Sequence, residues 1–328
     1  MWRSSHYYIS CLLAVLLLLG ACEKELKYDT PVLVVSFNTL NTNFKKAAAQ
    51  NAISAINSLY FGYSYSSSAD IEDQAVRIDS MLALGCDALV VMPQNSDLFS
   101  ADVIKRVNEL GIPLICFGEK PDVDDVEYAA FVTGDDASAG LLAAAFIGDT
   151  LKRSATATKS VLLMTVPSEK TSHERISAFR YRLSDYPDFS ILGKCEVSSY
   201  DRAEAKKSFS AWIHARHESA RMPDAIYAQD DDVALGVLDV IESLALEGVT
   251  VIVGCGGSKE FLSRIKNSSS DLVLASAYYT PEMMNLCIDI ATNILLYGEY
   301  PDEKDILVES AIINKANVDE YYNEASVY

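Results

Sequence analysis

The sequence predicts an α/β fold built as two doubly wound parallel-sheet lobes. Three observations carry that expectation. The chain has 328 residues, more than one ordinary core organises. From Pro31 onward it repeats one unit, a short apolar run rich in β-branched residues followed by a segment of helical period. The series then restarts at about Ala137, which divides the units into two sets.

In the first set, Val32–Phe37 reads as a strand and Asn43–Leu59 as a helix. Phe61–Ser66 alternates as a strand does, and Ile71–Leu84 has helical period. Ala88–Met92 is a strand, Leu98–Leu110 a helix, and Gly111-Ile-Pro a turn into the strand Leu114–Phe117. In the second set, Ala137–Leu151 is a helix and Ser154–Lys159 a polar break. Strands follow at Val161–Val166, Ile191–Val197, Ala225–Gln229, Val249–Gly254 and Leu272–Ala277. Helices follow each of them, at Ser172–Leu183, Arg202–Arg216, Asp231–Leu244, Ser258–Ile265 and Pro281–Leu296. Short continuous apolar strands suit a parallel sheet buried on both faces, and the crossovers between them are right-handed. Ligands of such sheets bind beyond the carboxyl ends of the strands, so the loops after each strand are where function is sought.

The segment ahead of Pro31 reads as an export signal. Arg3 supplies a positive start, Cys11–Leu19 is an uninterrupted apolar run, and Gly20 and Ala21 are small. The run is short for a bilayer span. Leu19-Gly20-Ala21-Cys22 resembles the lipobox of bacterial lipoproteins, which implies cleavage of residues 1–21 and lipidation of Cys22. Residues 22–31 then serve as a polar tether. The expected location is outside the cytoplasm, lipid-anchored to the bacterial cell envelope.

A net charge of −19 repels phosphate backbones and speaks against nucleic acid as a partner. Cys86, Cys116, Cys195, Cys255 and Cys287 are widely spaced and sit in or beside apolar runs, as buried thiols do, with one disulfide left open. His214 and His217 share a helical face, but no third metal ligand is marked out, and a solvated face is the simpler reading. Gly254-Cys-Gly-Gly-Ser-Lys259 has neither P-loop nor dinucleotide spacing and reads as a tight turn near a ligand. No nucleophile elbow or zincin motif is present, so no catalytic residue, metal or cofactor is expected.

Several segments in a fixed order carry a resemblance. They are Gly85-Cys-Asp-Ala-Leu-Val-Val-Met-Pro-Gln-Asn-Ser-Asp97, Gly111-Ile-Pro-Leu-Ile-Cys-Phe117 and Thr133-Gly-Asp-Asp-Ala-Ser-Ala-Gly140. Glu174-Arg-Ile-Ser-Ala-Phe179 and Asp224-Ala-Ile-Tyr-Ala-Gln-Asp-Asp-Asp-Val-Ala-Leu-Gly236 complete the set. Over about Val32–Val308 the chain resembles the ribose-binding-protein-like family of type I periplasmic binding proteins. The resemblance implies two Rossmann-like lobes joined by a three-segment hinge. The N-terminal lobe is then 32–132 plus 281–307, and the C-terminal lobe 133–280 plus 308–328. It also implies closure on a small polar ligand, most simply a sugar. No internal segment suggests oligomerisation, so a monomer is expected. The partner is then an ABC-type transporter permease or, alternatively, a membrane sensor protein.

The resemblance places stacking aromatics at Phe44 and Tyr200, on opposite sides of a sugar ring. Arg175 falls on a ligand-binding arginine whose fork donates to two groups at once. Asn41, Thr42 and Asn43 lie beside Phe44, where Asn also caps helices. Asp230 replaces the family's asparagine and, when ionised, only accepts hydrogen bonds. Asp231 and Asp232 are assigned to the helix N-terminus. The pattern departs from the family at three places. Glu119 and Lys120 stand near an Asp-Arg pair with a shift of register, Cys255-Gly256 replaces an aromatic and an acid, and Tyr279 replaces a glutamine. These changes move the expectation from ribose itself to a sugar, a polyol or another small polar molecule.

Overall fold

The computed structural model describes residues 30–152, 158–216, 221–268 and 271–328. The expected signal, Cys22, the tether as far as Asp29, and His217 lie outside the described residues. Apolar runs at the predicted places form two six-stranded sheets.

The first sheet contains β1 (Val32–Phe37), β2 (Gly62–Ser67), β3 (Ala88–Val91), β4 (Leu114–Phe117), β5 (Ala130–Gly134) and β11 (Asp305–Val308). Their spatial order is β11-β5-β4-β3-β1-β2, and every pairing is parallel. The second contains β6 (Lys159–Thr165), β7 (Phe189–Glu196), β8 (Ala225–Ala228), β9 (Val251–Gly256), β10 (Val273–Tyr278) and β12 (Ile312–Asn314). Its order is β12-β10-β9-β8-β6-β7, with β12 antiparallel to β10. The two sheets thus repeat one winding scheme. In each, the order reverses between the first strand and the third, and the crevice at such a switch point is where ligands settle. For these sheets the switch points are β1/β3 and β6/β8.

Helices cover both faces. On the first sheet lie α1 (Asn43–Ile56), α2 (Ile71–Leu84), α3 (Asp102–Glu109) and α9 (Met283–Tyr297). On the second lie α4 (Asp136–Leu151), α5 (Lys170–Leu183), α6 (Arg202–His214), α7 (Asp231–Ser243) and α8 (Lys259–Lys266), with the short α10 (Val318–Tyr321) beside α8. Central strands such as β3, β4 and β8 are buried along their whole length, as a double cover requires. The chain passes between the sheets three times, after β5, between β10 and α9, and after β11. Val32–Tyr328 forms one compact unit.

Several sequence expectations are corrected. The helix expected over 98–110 is a 3-10 turn at Ser96–Ser100 followed by α3, because Ala101 adopts an extended backbone between them. Asn95 caps the 3-10 turn by accepting the Asp97 N–H at 2.9 Å. The first helix stops at Ile56, and the strand expected from Val249 runs over Val251–Gly256. The strands β5, β11 and β12 were not anticipated. All five described cysteines are free, and all but Cys86 are buried. Among the described residues no helix is long and apolar enough to cross a membrane.

Candidate ligand-binding site

The carboxyl ends of the strands in both sheets converge on one cleft, and two cavities open along it. The first, of about 140 Å³, takes its lining from loops after six strands. Asn41, Thr42 and Phe44 follow β1; Arg175 follows β6, and Tyr200 follows β7. Asp230 follows β8, Gly256 ends β9, and Tyr279 follows β10. Eight of the ten expected ligand residues therefore meet in one place. Glu119 and Lys120 do not join them. They line the second cavity, of about 310 Å³, with Ser96, Asp135, Asp136 and Glu174, and Glu169 and Thr171 border both.

Phe44 sits in the first turn of α1, which Thr42 caps by accepting the Lys45 N–H at 3.2 Å. Thr42 is thus both helix cap and cavity wall. The Phe44 ring stacks on Phe117 (6.3 Å, 12°), tilts against Tyr279 (5.6 Å) and meets Tyr328 edge-on (5.9 Å, 88°). Tyr200 is not among its ring contacts; its hydroxyl lies 3.2 Å from that of Thr171. The neighbouring Asn43 serves neither as cap nor as cavity wall. Its amide donates to the Asp232 carboxylate at 2.9 Å and ties the start of α1 to the start of α7.

Arg175 is held on three sides. Its Nε donates to Asp136 at 2.7 Å, its Nη1 donates to the Gln229 carbonyl at 2.6 Å, and its guanidinium lies 4.5 Å from the Tyr279 ring centre. Among the described residues Nη2 makes no hydrogen bond, and Arg175 borders the cavity. The salt-bridge partner is Asp136, and both charged side chains are buried. Burial pushes the Asp136 carboxyl up, and Arg175 opposes that shift. Tyr279 is held in turn by Thr133, hydroxyl to hydroxyl at 3.0 Å.

Asp230 caps α7 by accepting the Asp232 N–H at 2.8 Å. Burial, with Asp232 and Asp231 alongside, pushes its carboxyl well above the ordinary range. An aspartate gains an O–H donor beside its acceptors only when protonated, and the upward shift favours that form. Asp231 corrects a second expectation. Its carboxylate does not serve its own helix N-terminus but accepts from the N–H groups of Gly257 and Ser258, both at 2.7 Å, and from the Ser276 hydroxyl. The glycine-rich turn after β9 is therefore an anion cradle already filled from within. Gly256 has φ +151°, and a Cβ there would lie 2.5 Å from the Tyr328 hydroxyl and 3.0 Å from Asp231. Only glycine fits.

Sequence reasoning missed Lys45, Glu169, Thr171, Ser199, Cys255 and Tyr328 as lining residues. Lys45, Ser199 and Cys255 adjoin predicted positions along the chain, and Glu169 and Thr171 lie in the turn and first helical residues ahead of Arg175. Tyr328 adjoins none, and no local signal marks it. Glu119 is pushed up by burial, while Lys120 pairs with Asp305 at the cleft edge. Among the described residues no cluster of His, Cys, Asp and Glu is able to hold a metal ion.

Residues 33–299 match the periplasmic binding protein domain family. The ribose import binding protein RbsB of Bacillus subtilis (strain 168) is 26% identical over 232 residues, 70% of each chain. A xylitol-binding protein of Mycolicibacterium smegmatis is 28% identical over 255 residues, 77% of this chain and 68% of that one. An ABC transporter solute-binding protein from Bacillus halodurans C-125, solved with bound myo-inositol, superposes with a TM-score of 0.73. That match covers 89% of this chain and 97% of the other at 20% identity, a likeness of fold. Strand order, cleft and sequence agree: the chain belongs to the type I periplasmic binding proteins, in the ribose-binding family.

Proposed function

We propose that this protein captures a monosaccharide or related polyol between its lobes and presents it to an ABC-type transporter. The observation that carries the reading is the first cavity. Aromatic faces from Phe44, Tyr200 and Tyr279 surround a few hydrogen-bonding groups, chiefly the free arm of Arg175 and the buried Asp230. A polyhydroxy ring has the matching surface, with C–H faces for the aromatics and hydroxyls for the polar groups. The ligands named for the relatives, ribose, xylitol and myo-inositol, share that chemistry.

In this reading Asn41, Thr42, Phe44, Arg175, Tyr200, Asp230, Gly256 and Tyr279 hold the ligand, and Glu119 and Lys120 border the cleft beside it. The lobes are 32–132 plus 281–307 and 133–280 plus 308–328, and the three crossings between the sheets are the hinge. The protein works as a binder and not as an enzyme. It is exported, it is a monomer, and lipid on Cys22 anchors it to the cell envelope. Fatty-acid labelling in cells checks the anchor: label is expected on the parent and is absent from Cys22→Ser.

Calorimetric titration of the chain from Glu23 onward against pentoses, hexoses, pentitols and cyclitols tests the function. Saturable binding that disappears in Arg175→Ala is the expected result. No heat from any of these compounds overturns the polyol reading.

A further inference from the structure

Tyr328 enters the cavity from a segment that the ligand loops do not include. It arrives as the end of a strap over residues 322–328 that leaves α10 and returns along α8. The strap is anchored on the second-sheet side. The Tyr328 carbonyl accepts the Lys259 N–H at 2.8 Å, at the first residue of α8. The Lys259 ammonium donates to the Ser326 carbonyl at 2.7 Å and reaches the Glu324 carbonyl at 3.4 Å. Ser326 Oγ adds a bond to the Tyr328 carbonyl at 3.1 Å. From that anchorage the ring crosses the cleft and lies edge-on to Phe44, on a helix of the other sheet. Its hydroxyl rests over Gly256, where a Cβ would lie 2.5 Å away.

The consequence is geometric. With Tyr328 in place the cavity is about 140 Å³. That is the size of a void that holds one benzene ring, and it falls short of the ~300 Å³ at which ligand pockets usually begin. We propose that Tyr328 is the size-setting wall of the ligand cavity: it admits a single compact ring or short polyol and shuts out a ligand one ring longer. This rests on the reading that the first cavity is the ligand site. The glycine at 256 and the lysine at 259 belong to the same device, one clearing space for the phenol and the other fixing the strap that carries it. Tyr328 is thus a specificity residue delivered across the cleft by a segment with no strand of its own.

The test has one arm that needs no ligand. Cys255 lines the cavity next to Gly256 and is buried, and burial pushes its thiol up to about 12. Its slow alkylation by iodoacetamide in the full chain is followed by peptide mass spectrometry, with the half-buried Cys86 of the first sheet as internal control. Tyr328→Ala is expected to speed labelling of Cys255 at least tenfold and leave Cys86 unchanged. Tyr328→Phe, which keeps the ring, stays within about threefold of the parent. Lys259→Met removes the ammonium bonds to Ser326 and Glu324, keeps the backbone bond to Tyr328 and the cavity lining, and so loosens the strap; it speeds Cys255 labelling severalfold. A Cys255 rate within twofold of the parent in both Tyr328→Ala and Lys259→Met overturns the proposal. The second arm titrates parent and Tyr328→Ala with D-ribose, xylitol, myo-inositol and sucrose. The preference for the compact ligands over the disaccharide is expected to fall at least tenfold, and an unchanged preference overturns the wall. Faster Cys255 labelling with no heat from any compact probe upholds the wall and overturns the polyol reading. Heat from a compact probe with unchanged labelling does the reverse.

Discussion

The two cavities of the cleft share Glu169 and Thr171 yet offer a guest different things. The smaller presents four aromatic rings, one guanidinium arm and a buried carboxyl. The larger is bordered by Glu119, Lys120, Asp122, Asp135, Lys170 and Glu174, and of these Lys120, Asp122, Lys170 and Glu174 are exposed to water. A neutral polyhydroxy ring gains from the first set, because each polar group is fixed and desolvated before the ligand arrives. It gains little from the second, where it competes with solvent for mobile charges. The cluster of Arg175, Asp136 and Tyr279 stands at the boundary, and Asp136 faces the larger cavity while Arg175 and Tyr279 face the smaller.

The largest effect that bears on this contrast belongs to Arg175. Truncation to alanine removes the arm proposed to meet the ligand and leaves Asp136 buried without its partner, a loss of about 3–5 kcal/mol of stability. Ligand heat in the titration is expected to vanish. Pairing Arg175→Met with Asp136→Asn separates the two consequences. The double variant is expected to regain most of the urea midpoint and still bind at least a hundredfold more weakly. Full affinity in that variant would move the ligand out of the smaller cavity.

Asp231 gives the next effect, through pH. Burial pushes its carboxyl up to about 6, against the lowering influence of bonds from Ser258, Ser276 and Gly257. A raised folded value means that the protonated form is the one favoured by folding. The stability contribution is complete below the unfolded value near 4 and is lost as pH rises through about 6. Between pH 4 and pH 7 this group alone removes about 2 kcal/mol. Asp231→Asn keeps an acceptor for the two N–H groups and takes the charge away, so the turn beneath Gly256 survives. Urea unfolding at the two pH values is expected to show a smaller drop for the variant than for the parent. Equal drops would place the pH dependence elsewhere.

The sequence displayed the winding scheme well, because both sheets are made of apolar runs buried on two faces. The strands it hid were β5, β11 and β12. β11 is an edge strand whose residues alternate in exposure, starting from an aspartate, and β12 spans only three residues. Neither has the length or apolarity that periodicity detects. At the site, residues that follow a strand were legible because strand ends mark the cleft. Lys45 and Cys255 were one step from named positions. The role of Asp231 was not legible, since an aspartate at a helix start reads as a helix residue and only the fold brings Ser276 and Gly257 to it. Tyr328 was the least legible, because it reaches the cavity through contacts with Lys259 and Phe44, both distant in sequence.

The smallest expected effect is the one that tests the contrast most directly. Lys120 was placed at the ligand by resemblance, yet its ammonium pairs with Asp305 on β11, and it stands 5.4 Å from the Phe131 ring. Tyr128 donates to the same carboxylate at 2.7 Å, so Asp305 keeps a partner when the lysine is gone. Both members of the ion pair are more than two-fifths exposed, and such pairs contribute roughly 0–1 kcal/mol. Lys120→Ala is therefore expected to shift the urea midpoint slightly and to leave ligand affinity within about twofold of the parent. The two halves of the cleft predict opposite results for this substitution. A ligand confined to the aromatic cavity never meets Lys120. A ligand that extends past Arg175 into the charged cavity does meet it, and then the same variant loses tenfold or more. Titration of Lys120→Ala with whichever polyol binds the parent decides between a one-cavity site and a site that spans the cleft.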